Sequence, residues 1–225
     1  MKNFTLTKKI ELTADVFELH FECSEDFEIK PGQFVTFILP KIGGRAYSIL
    51  EQNWNKTILI IKRVNEENGW RWGSIFICDS QIWDVLNWVW PAGHFVLKET
   101  DNNKLFIWTW TGLVPLYNQI IAGLERWDIW RYTFIFWVRT REDLFYLDQF
   151  SELTRKYKNF SCGLYLSREE SDVTEKWYVT DFLIEKNTSQ YDEAYICWMP
   201  VMVDSAVDKL QKSGMKKESI FSEKY

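Results

Sequence analysis

Two hydrophobic periods divide the chain. In the first hundred residues apolar and polar positions alternate: Phe17, Leu19, Phe21 and Cys23 are separated by Glu18, His20 and Glu22. That is the period of an antiparallel strand with one buried face. Phe34-Val35-Thr36-Phe37-Ile38-Leu39 repeats the signal after the turn Lys30-Pro31-Gly32-Gln33, and the stretches Ile58 to Val64 and Trp88 to Leu97 add more strands. Many short strands punctuated by Gly and Pro predict a small antiparallel barrel. The polar stretch Lys98-Glu99-Thr100-Asp101-Asn102-Asn103-Lys104 reads as a linker.

Beyond it the grammar changes. Leu105-Phe106-Ile107 is a short apolar strand, followed by a helical segment from Pro115 to Leu124. Tyr132 to Val138 is nearly continuous apolar, as in a strand covered on both faces. A helix follows around Glu142 to Lys158, its inner stripe Leu144, Phe145, Leu147, Phe150 and Leu153. A strand at Leu164 to Leu166, a short helix near Thr180 to Ile184 and a strand at Glu193 to Cys197 come next. The last helix, Pro200 to Lys212, carries Val203, Ala206, Val207 and Leu210 on one face and ends near Gly214. Alternating β and α predicts a parallel sheet with helices on both sides. The chain is thus read as a two-domain β + α/β protein: an N-terminal antiparallel β-barrel over 1–98 and a C-terminal Rossmann-like parallel-sheet domain over 103–225.

Bulk properties narrow the function. The 225 residues carry a net charge of −5, which argues against nucleic acid as the main partner. The start, Met1-Lys2-Asn3-Phe4-Thr5-Leu6-Thr7, has no signal-peptide stretch, and no apolar run approaches the ~20 residues of a membrane span. Cys23, Cys78, Cys162 and Cys197 lie far apart, a spacing that points to neither a zinc site nor an iron–sulfur cluster, so no metal is expected. A reduced, cytoplasmic protein is the simple expectation.

The tryptophans are the anomaly. There are 13, against only ten glycines. Several stand where the backbone calls for glycine. Trp54 lies in Asn53-Trp54-Asn55, between two apolar runs, at the place of a hairpin turn. Trp108 and Trp110 lie between a buried strand and a helix, where loops need small residues so that backbone N–H groups can approach a phosphate. Trp70 and Trp72 flank Arg71 just before Gly73-Ser74, and Trp88 and Trp90 precede Pro91. An indole suits none of these places. Translation of UGA as tryptophan, in a gene whose host reads UGA as glycine, accounts for the pattern; a natural Trp-rich binding module is the competing, non-enzymatic reading.

Two constellations carry chemistry. In Gly43-Gly44-Arg45-Ala46-Tyr47-Ser48, arginine can grip a pyrophosphate with two prongs, tyrosine can present its ring to a flat cofactor, and serine can donate to a ring nitrogen. The tetrapeptide Arg45-Ala46-Tyr47-Ser48 also fits an ordinary strand end with a surface Arg and a core Tyr. In Gly69-Trp70-Arg71-Trp72-Gly73-Ser74, glycines in place of the tryptophans would make a run of backbone amides able to nest an anion.

Taken in order, these elements resemble the ferredoxin–NADP reductase family of flavoproteins. Pro31-Gly32-Gln33-Phe34, Arg45-Ala46-Tyr47-Ser48, Gly73-Ser74 and Trp83-Asp84-Val85-Leu86, followed by Trp90-Pro91-Ala92-Gly93-His94-Phe95, match its flavin domain. Leu105 to Pro115 is similar to its nucleotide loop, usually Gly-Thr-Gly-Thr-Gly-x-x-Pro, and Cys197-Trp198-Met199-Pro200 to its Cys-Gly-x-Pro element. At Trp72, Trp83, Trp90, Trp108, Trp110, Trp137, Trp177 and Trp198 the family pattern usually has glycine.

The resemblance implies that the first domain binds FAD and the second NADP, with NAD an alternative. Arg45, Ala46, Tyr47 and Ser48 would hold the flavin, Ser48 near N5, with Lys62 in the cofactor-binding set and Gly73 and Ser74 over the pyrophosphate. Thr109, Thr111, Gly112 and Pro115 would shape the pyridine-nucleotide phosphate site. Cys197, with Met199 and Pro200 after it, would lie beside the nicotinamide; a small buried residue ending a strand is its plain alternative. Ser167 and Arg168, with Lys176 and Tyr178, would grip a 2′-phosphate, or else form a helix cap with a solvated arginine. The final Glu223-Lys224-Tyr225 would place Tyr225 on the flavin face and Glu223 in the proton network, or be a frayed end. The implied function is electron transfer between NAD(P)H and ferredoxin or flavodoxin; a free-flavin reductase and the reductase component of an oxygenase are the alternatives.

Overall fold

The computed structural model describes residues 2–64, 72–126, 129–169, 175–176 and 188–224, with 175–176 described as backbone only. Contacts divide the chain into two compact units, Met1–Leu97 with Tyr117–Gln119, and Lys98–Leu116 with Ile120–Tyr225.

The first unit is a seven-stranded sheet built from β1 (Lys2–Thr13), β2 (Val16–Cys23), β3 (Phe34–Leu39), β4 (Gly43–Ser48), β5 (Glu51–Asn53), β6 (Lys56–Lys62) and β7 (Val85–Ala92). Its order is β4-β3-β7-β1-β2-β6-β5, and every pairing is antiparallel. The sheet is barrel-like, as the alternating pattern predicts. Inward residues of different strands meet in an aromatic centre where Phe4 stacks on Trp88 at 4.5 Å and tilts against Phe37 at 5.8 Å. Rings in such arrangements add to the stability gained by burying their area. Two boundaries differ from expectation. The last strand is Val85–Ala92 rather than Trp88 to Leu97, and a short helix, α1 (Gly73–Asp79), begins where an open loop is expected.

The second unit is a parallel six-stranded sheet of β8 (Lys104–Trp108), β9 (Tyr132–Val138), β10 (Phe160–Leu166), β11 (Glu175–Lys176), β12 (Glu193–Trp198) and β13 (Ile220–Lys224). Its order is β11-β10-β9-β8-β12-β13, parallel throughout. All five residues of β8 are buried, the signature of a strand covered on both faces. The connecting helices are α2 (Leu113–Glu125), α3 (Leu147–Lys156) and α4 (Pro200–Lys212). Helix α4 starts on Pro200, buries Val203, Ala206 and Leu210 on one face, and ends at Gly214 with φ 99°, where Met215 N donates back to Leu210 O at 3.0 Å. That is the left-handed stop that glycine supplies.

The helix expected over 142–158 is shorter. Thr140 and Asp143 form a reciprocal cap around a single tight turn at Arg141–Asp143, and Tyr146 takes a left-handed φ of 63°, so α3 begins only at Leu147. Phe150 and Leu153 are buried as the stripe predicts, but Leu147 is 41% exposed. The helix expected near Thr180 lies outside the described residues. The polar stretch before β8 is anchored rather than loose. Fully buried Lys104 donates to Thr100 O and Asn102 O, both at 2.9 Å, and Glu193 accepts from Thr100 Oγ1, Asn102 Nδ2 and Tyr195 Oη. Among the described residues no helix is long and apolar enough to cross a membrane.

Candidate functional site

In the parallel sheet the strand order reverses beside β8: β9 and β10 extend to one side, β12 and β13 to the other. In open α/β sheets such a switch point leaves a crevice outside the carboxyl ends of the strands. Two segments end there. After β8 the chain runs through Thr109, extended at φ −143°, ψ 149°, into a tight turn at Trp110–Gly112 and then α2. After β12 it runs through Trp198 and Met199 into α4.

These segments touch. A Cβ on Gly112 would stand 2.6 Å from Cys197 O and 3.2 Å from Cys197 C, so only glycine allows this approach. Cys197 is fully buried and is the register partner of Trp108 on one side and Glu223 on the other. Thr109 is also fully buried, and its Oγ1 has no hydrogen-bond partner. A buried hydroxyl left unpaired is costly, and this one lies at the start of α2. That helix has no side-chain cap and no acidic residue in its first turn. Its uncapped N–H groups and dipole favour an anion. Buried Pro115 lies in the first turn, and Thr111 is half-buried. Helix α4 likewise lacks a side-chain cap at Met199, which is 44% exposed.

At the end of β10, Ser167 N and Arg168 N donate to Val138 O and Arg139 O at 3.0 Å each, and the Arg168 side chain is exposed. Lys176 pairs with Leu166 through the backbone. Tyr178 and Tyr225 lie outside the described residues.

In the antiparallel unit, Arg45-Ala46-Tyr47-Ser48 forms the last four residues of edge strand β4, paired with β3 from Phe37↔Arg45 to Phe34↔Ser48. Strand alternation puts Arg45 and Tyr47 on one face. Gly73, the first residue of α1, meets that face: a Cβ there would stand 2.6 Å from Arg45 Cγ and 3.2 Å from Tyr47 Oη. Arg45 Nη1 donates to Gly44 O at 2.5 Å, while its buried Nε has no partner. Burial, with a smaller contribution from Cys78, pushes the Tyr47 phenol above its ordinary range against the pull of Arg45, so it is a neutral donor at physiological pH. Ser48 is buried and Ala46 exposed. Ser74 Oγ accepts from Val64 N at 3.2 Å. Lys62 pairs with Asp15.

One supporting pair had no sequence signal. Arg63 Nε and Nη2 hold Asp79 at 2.8 and 2.9 Å, tying the chain just beyond β6 to the end of α1. The hydrogen bond from Arg63 lowers the Asp79 carboxyl below its usual range. Only the separation of the two residues in space, which spacing does not reveal, makes the pair visible.

Residues 106–208 match the family model described as an oxidoreductase NAD-binding domain. The chain is 26% identical over 225 residues to the phenol 2-monooxygenase reductase component of Pseudomonas sp. strain CF600, covering 96% of this chain and 63% of that protein. To the propane 2-monooxygenase reductase component of Rhodococcus jostii it is 25% identical, covering 98% of this chain and 63% of the relative. The chain therefore spans about 63% of the length of these curated relatives. Among solved structures, an Amycolatopsis cytochrome P450 reductase superposes with a TM-score of 0.88 at 22% identity, over 99% of this chain and 69% of the other. A ferredoxin NADP+ reductase from Neisseria gonorrhoeae, solved with FAD and NADP, does so with a TM-score of 0.84 at 16% identity, over 99% and 97%.

Proposed function

We propose, from the fold this chain shares with ferredoxin-reductase-type FAD- and NAD(P)-binding oxidoreductases, that it is an FAD-dependent reductase. It takes a hydride from NAD(P)H and hands single electrons to a protein carrier. The observation that carries the reading is the close approach of Gly112 to Cys197 at the switch point, beside the unpaired Thr109 hydroxyl and before an uncapped helix.

The residues fit the two cofactors. Arg45 leaves a buried Nε without a partner and packs on the glycine opening α1; a charged donor in that state suits a pyrophosphate. Tyr47 and Ser48 complete the flavin-binding set, with Gly73 and Ser74 beside the pyrophosphate. In the second unit, Thr109 Oγ1 and the N-terminus of α2 suit the nucleotide phosphates, with Thr111 and Pro115 shaping the turn. Cys197, with Met199 and Pro200 after it, would lie beside the nicotinamide, and Glu223 adjoins Cys197 through strand register. FAD, when bound, supplies the conversion of a two-electron hydride into single electrons. The chain's own residues bind, orient and shield. The exposed Arg168, with Ser167, favours NADPH over NADH, since a guanidinium matches a 2′-phosphate.

Ferredoxin or flavodoxin is the first choice of acceptor. A second acceptor class is favoured by the relatives, several of which are named as reductase or electron-transfer components of oxygenases; there the acceptor would be an oxygenase or its iron–sulfur protein. Steady-state reduction of ferredoxin, flavodoxin and free flavin, each with NADPH and NADH, tests the proposal. A colourless protein that binds no FAD and oxidises neither nucleotide overturns it.

A further inference from the structure

Among the described residues, five other than glycine hold a left-handed backbone: Lys41, Trp54, Trp83, Trp110 and Tyr146. Three of the five are tryptophan, although tryptophan supplies only 13 of the 225 residues. The same region is occupied by Gly32, Gly43, Gly93 and Gly214. Among the described residues the left-handed positions thus fall to four glycines, three tryptophans, one lysine and one tyrosine, and the Cβ of tryptophan resists that conformation.

Each of the three turns is closed around its tryptophan. Asn53↔Lys56 is the last pair of β5 and β6, leaving Trp54-Asn55 as a two-residue loop. Trp54 has φ 56°, and Asn55 is not among the positive-φ residues. A positive φ at the first central residue of a two-residue hairpin loop is a position that favours glycine. Trp83, at φ 78°, is the third residue of a turn closed by Asp84 N donating to Gln81 O at 3.0 Å. A positive φ there defines type II, which takes glycine at that residue. Trp110, at φ 54°, follows Thr109 in a turn closed by Gly112 N donating to Thr109 O at 3.2 Å.

Of the three side chains, that of Trp110 has the Arg139 guanidinium over its ring at 5.4 Å. The Trp54 and Trp83 side chains are 77% and 71% exposed. Elsewhere two indoles are buried at a cost: Trp88 Nε1 and Trp108 Nε1 have no hydrogen-bond partner, and the Trp108 ring sits 3.7 Å from that of Phe136, inside the roughly 4.5–7 Å usual for aromatic pairs.

We infer that positions 54, 83 and 110 are glycine in the protein its own host makes, the tryptophans there being UGA codons read with the wrong table. The inference stands on backbone geometry and does not depend on the proposed activity. Its consequence for the site is local. Glycine at 110 leaves Thr109 and Gly112 flanking bare backbone at the mouth of the switch point, where a phosphate can reach the amides.

Two measurements test it. Peptide masses of the full chain isolated from its source organism should fit glycine at 54, 83 and 110; masses fitting tryptophan overturn the inference. In the chain made with tryptophan as written, Trp54→Gly and Trp83→Gly should each raise the thermal midpoint above that of Trp54→Ala and Trp83→Ala, because alanine keeps the Cβ that the turn resists. Equal or lower midpoints for the glycine variants overturn the claim that these turns are built for glycine. Neither readout requires cofactor or turnover, so failure here is distinguishable from failure of the proposed function.

Discussion

Gly112 lies so close to Cys197 that a Cβ on it would stand 2.6 Å from the Cys197 carbonyl oxygen. The contact joins two segments far apart in sequence, the turn leaving β8 and the end of strand β12. Both listeners to this contact are backbone, so neither can swing aside as a flexible side chain would.

Gly112→Ala should therefore displace the loop and misalign the amides at the start of α2. The expected outcome is at least a tenfold rise in the KM for NAD(P)H, with FAD retained at wild-type stoichiometry. A titration of nucleotide against the oxidised protein checks it; unchanged affinity would mean that the loop does not bind phosphate.

Arg45→Ala removes the charged donor whose Nε is buried without a partner. Loss of a charge-assisted contact should weaken FAD by about 1.5–3 kcal/mol, or roughly ten- to a hundredfold. Flavin titration of the apoprotein, with glycine restored at the three tryptophan turns, measures it. Wild-type affinity in the variant would remove Arg45 from the site.

Much of this arrangement was legible in the chain. The change of hydrophobic period near residue 98 announces two architectures, because a sheet with one covered face and a sheet with two cannot carry the same pattern. Strand β1 gives no clear signal, since register shifts between Leu6 and Lys8 and between Glu11 and Thr13 break its alternation. Spacing starts α3 too early because a left-handed Tyr146 interrupts a stripe that looks continuous in the sequence. Helix α1 has no signal in the sequence, where Gly73-Ser74 closes a run that reads as an anion nest, and Arg63 and Asp79, which fasten the helix, are not linked by any short-range pattern. The meeting of Gly112 with Cys197 follows from strand order rather than from either motif, and strand order is what a single sequence specifies least.

Gly123→Ala tests packing away from the crevice. A Cβ there would meet Tyr132 Oη at 2.3 Å and the Tyr132 ring at 2.7 Å, and Tyr132 is fully buried. Overpacking of this kind typically costs about 1–3 kcal/mol. Chemical denaturation should report a lower midpoint with little change in nucleotide affinity; an unchanged midpoint would mean that the ring relaxes freely.

Alkaline stability should be governed in part by two thiols. Burial pushes Cys78 and Cys162 up to about 12 from 9.0. Below pH 9 both folded and unfolded chains keep these protons, so the thiols add no slope. Between about pH 9 and 12 the unfolded chain releases them and the folded chain does not, so stability falls as pH rises, by at most ~1.4 kcal/mol per pH unit for each thiol. Cys78→Ala should flatten the decline of thermal midpoint over that window. An identical slope in the variant would show that other groups dominate.

Cys197→Ala separates a catalytic contact from a packing role. Cys197 is fully buried, is the next-to-last residue of β12 with Glu223 as its register partner, and abuts the turn that leads into α2. If its side chain only fills space, alanine should lower the melting midpoint and leave the rate of flavin reduction intact. If it positions the nicotinamide, a small displacement of the reacting carbon should slow hydride transfer about 10²-fold with FAD still bound, and Cys197→Ser, which keeps the shape, should recover part of the rate. Stopped-flow reduction by NADPH distinguishes the two, because stability and rate move independently in the first case and the rate alone carries the second.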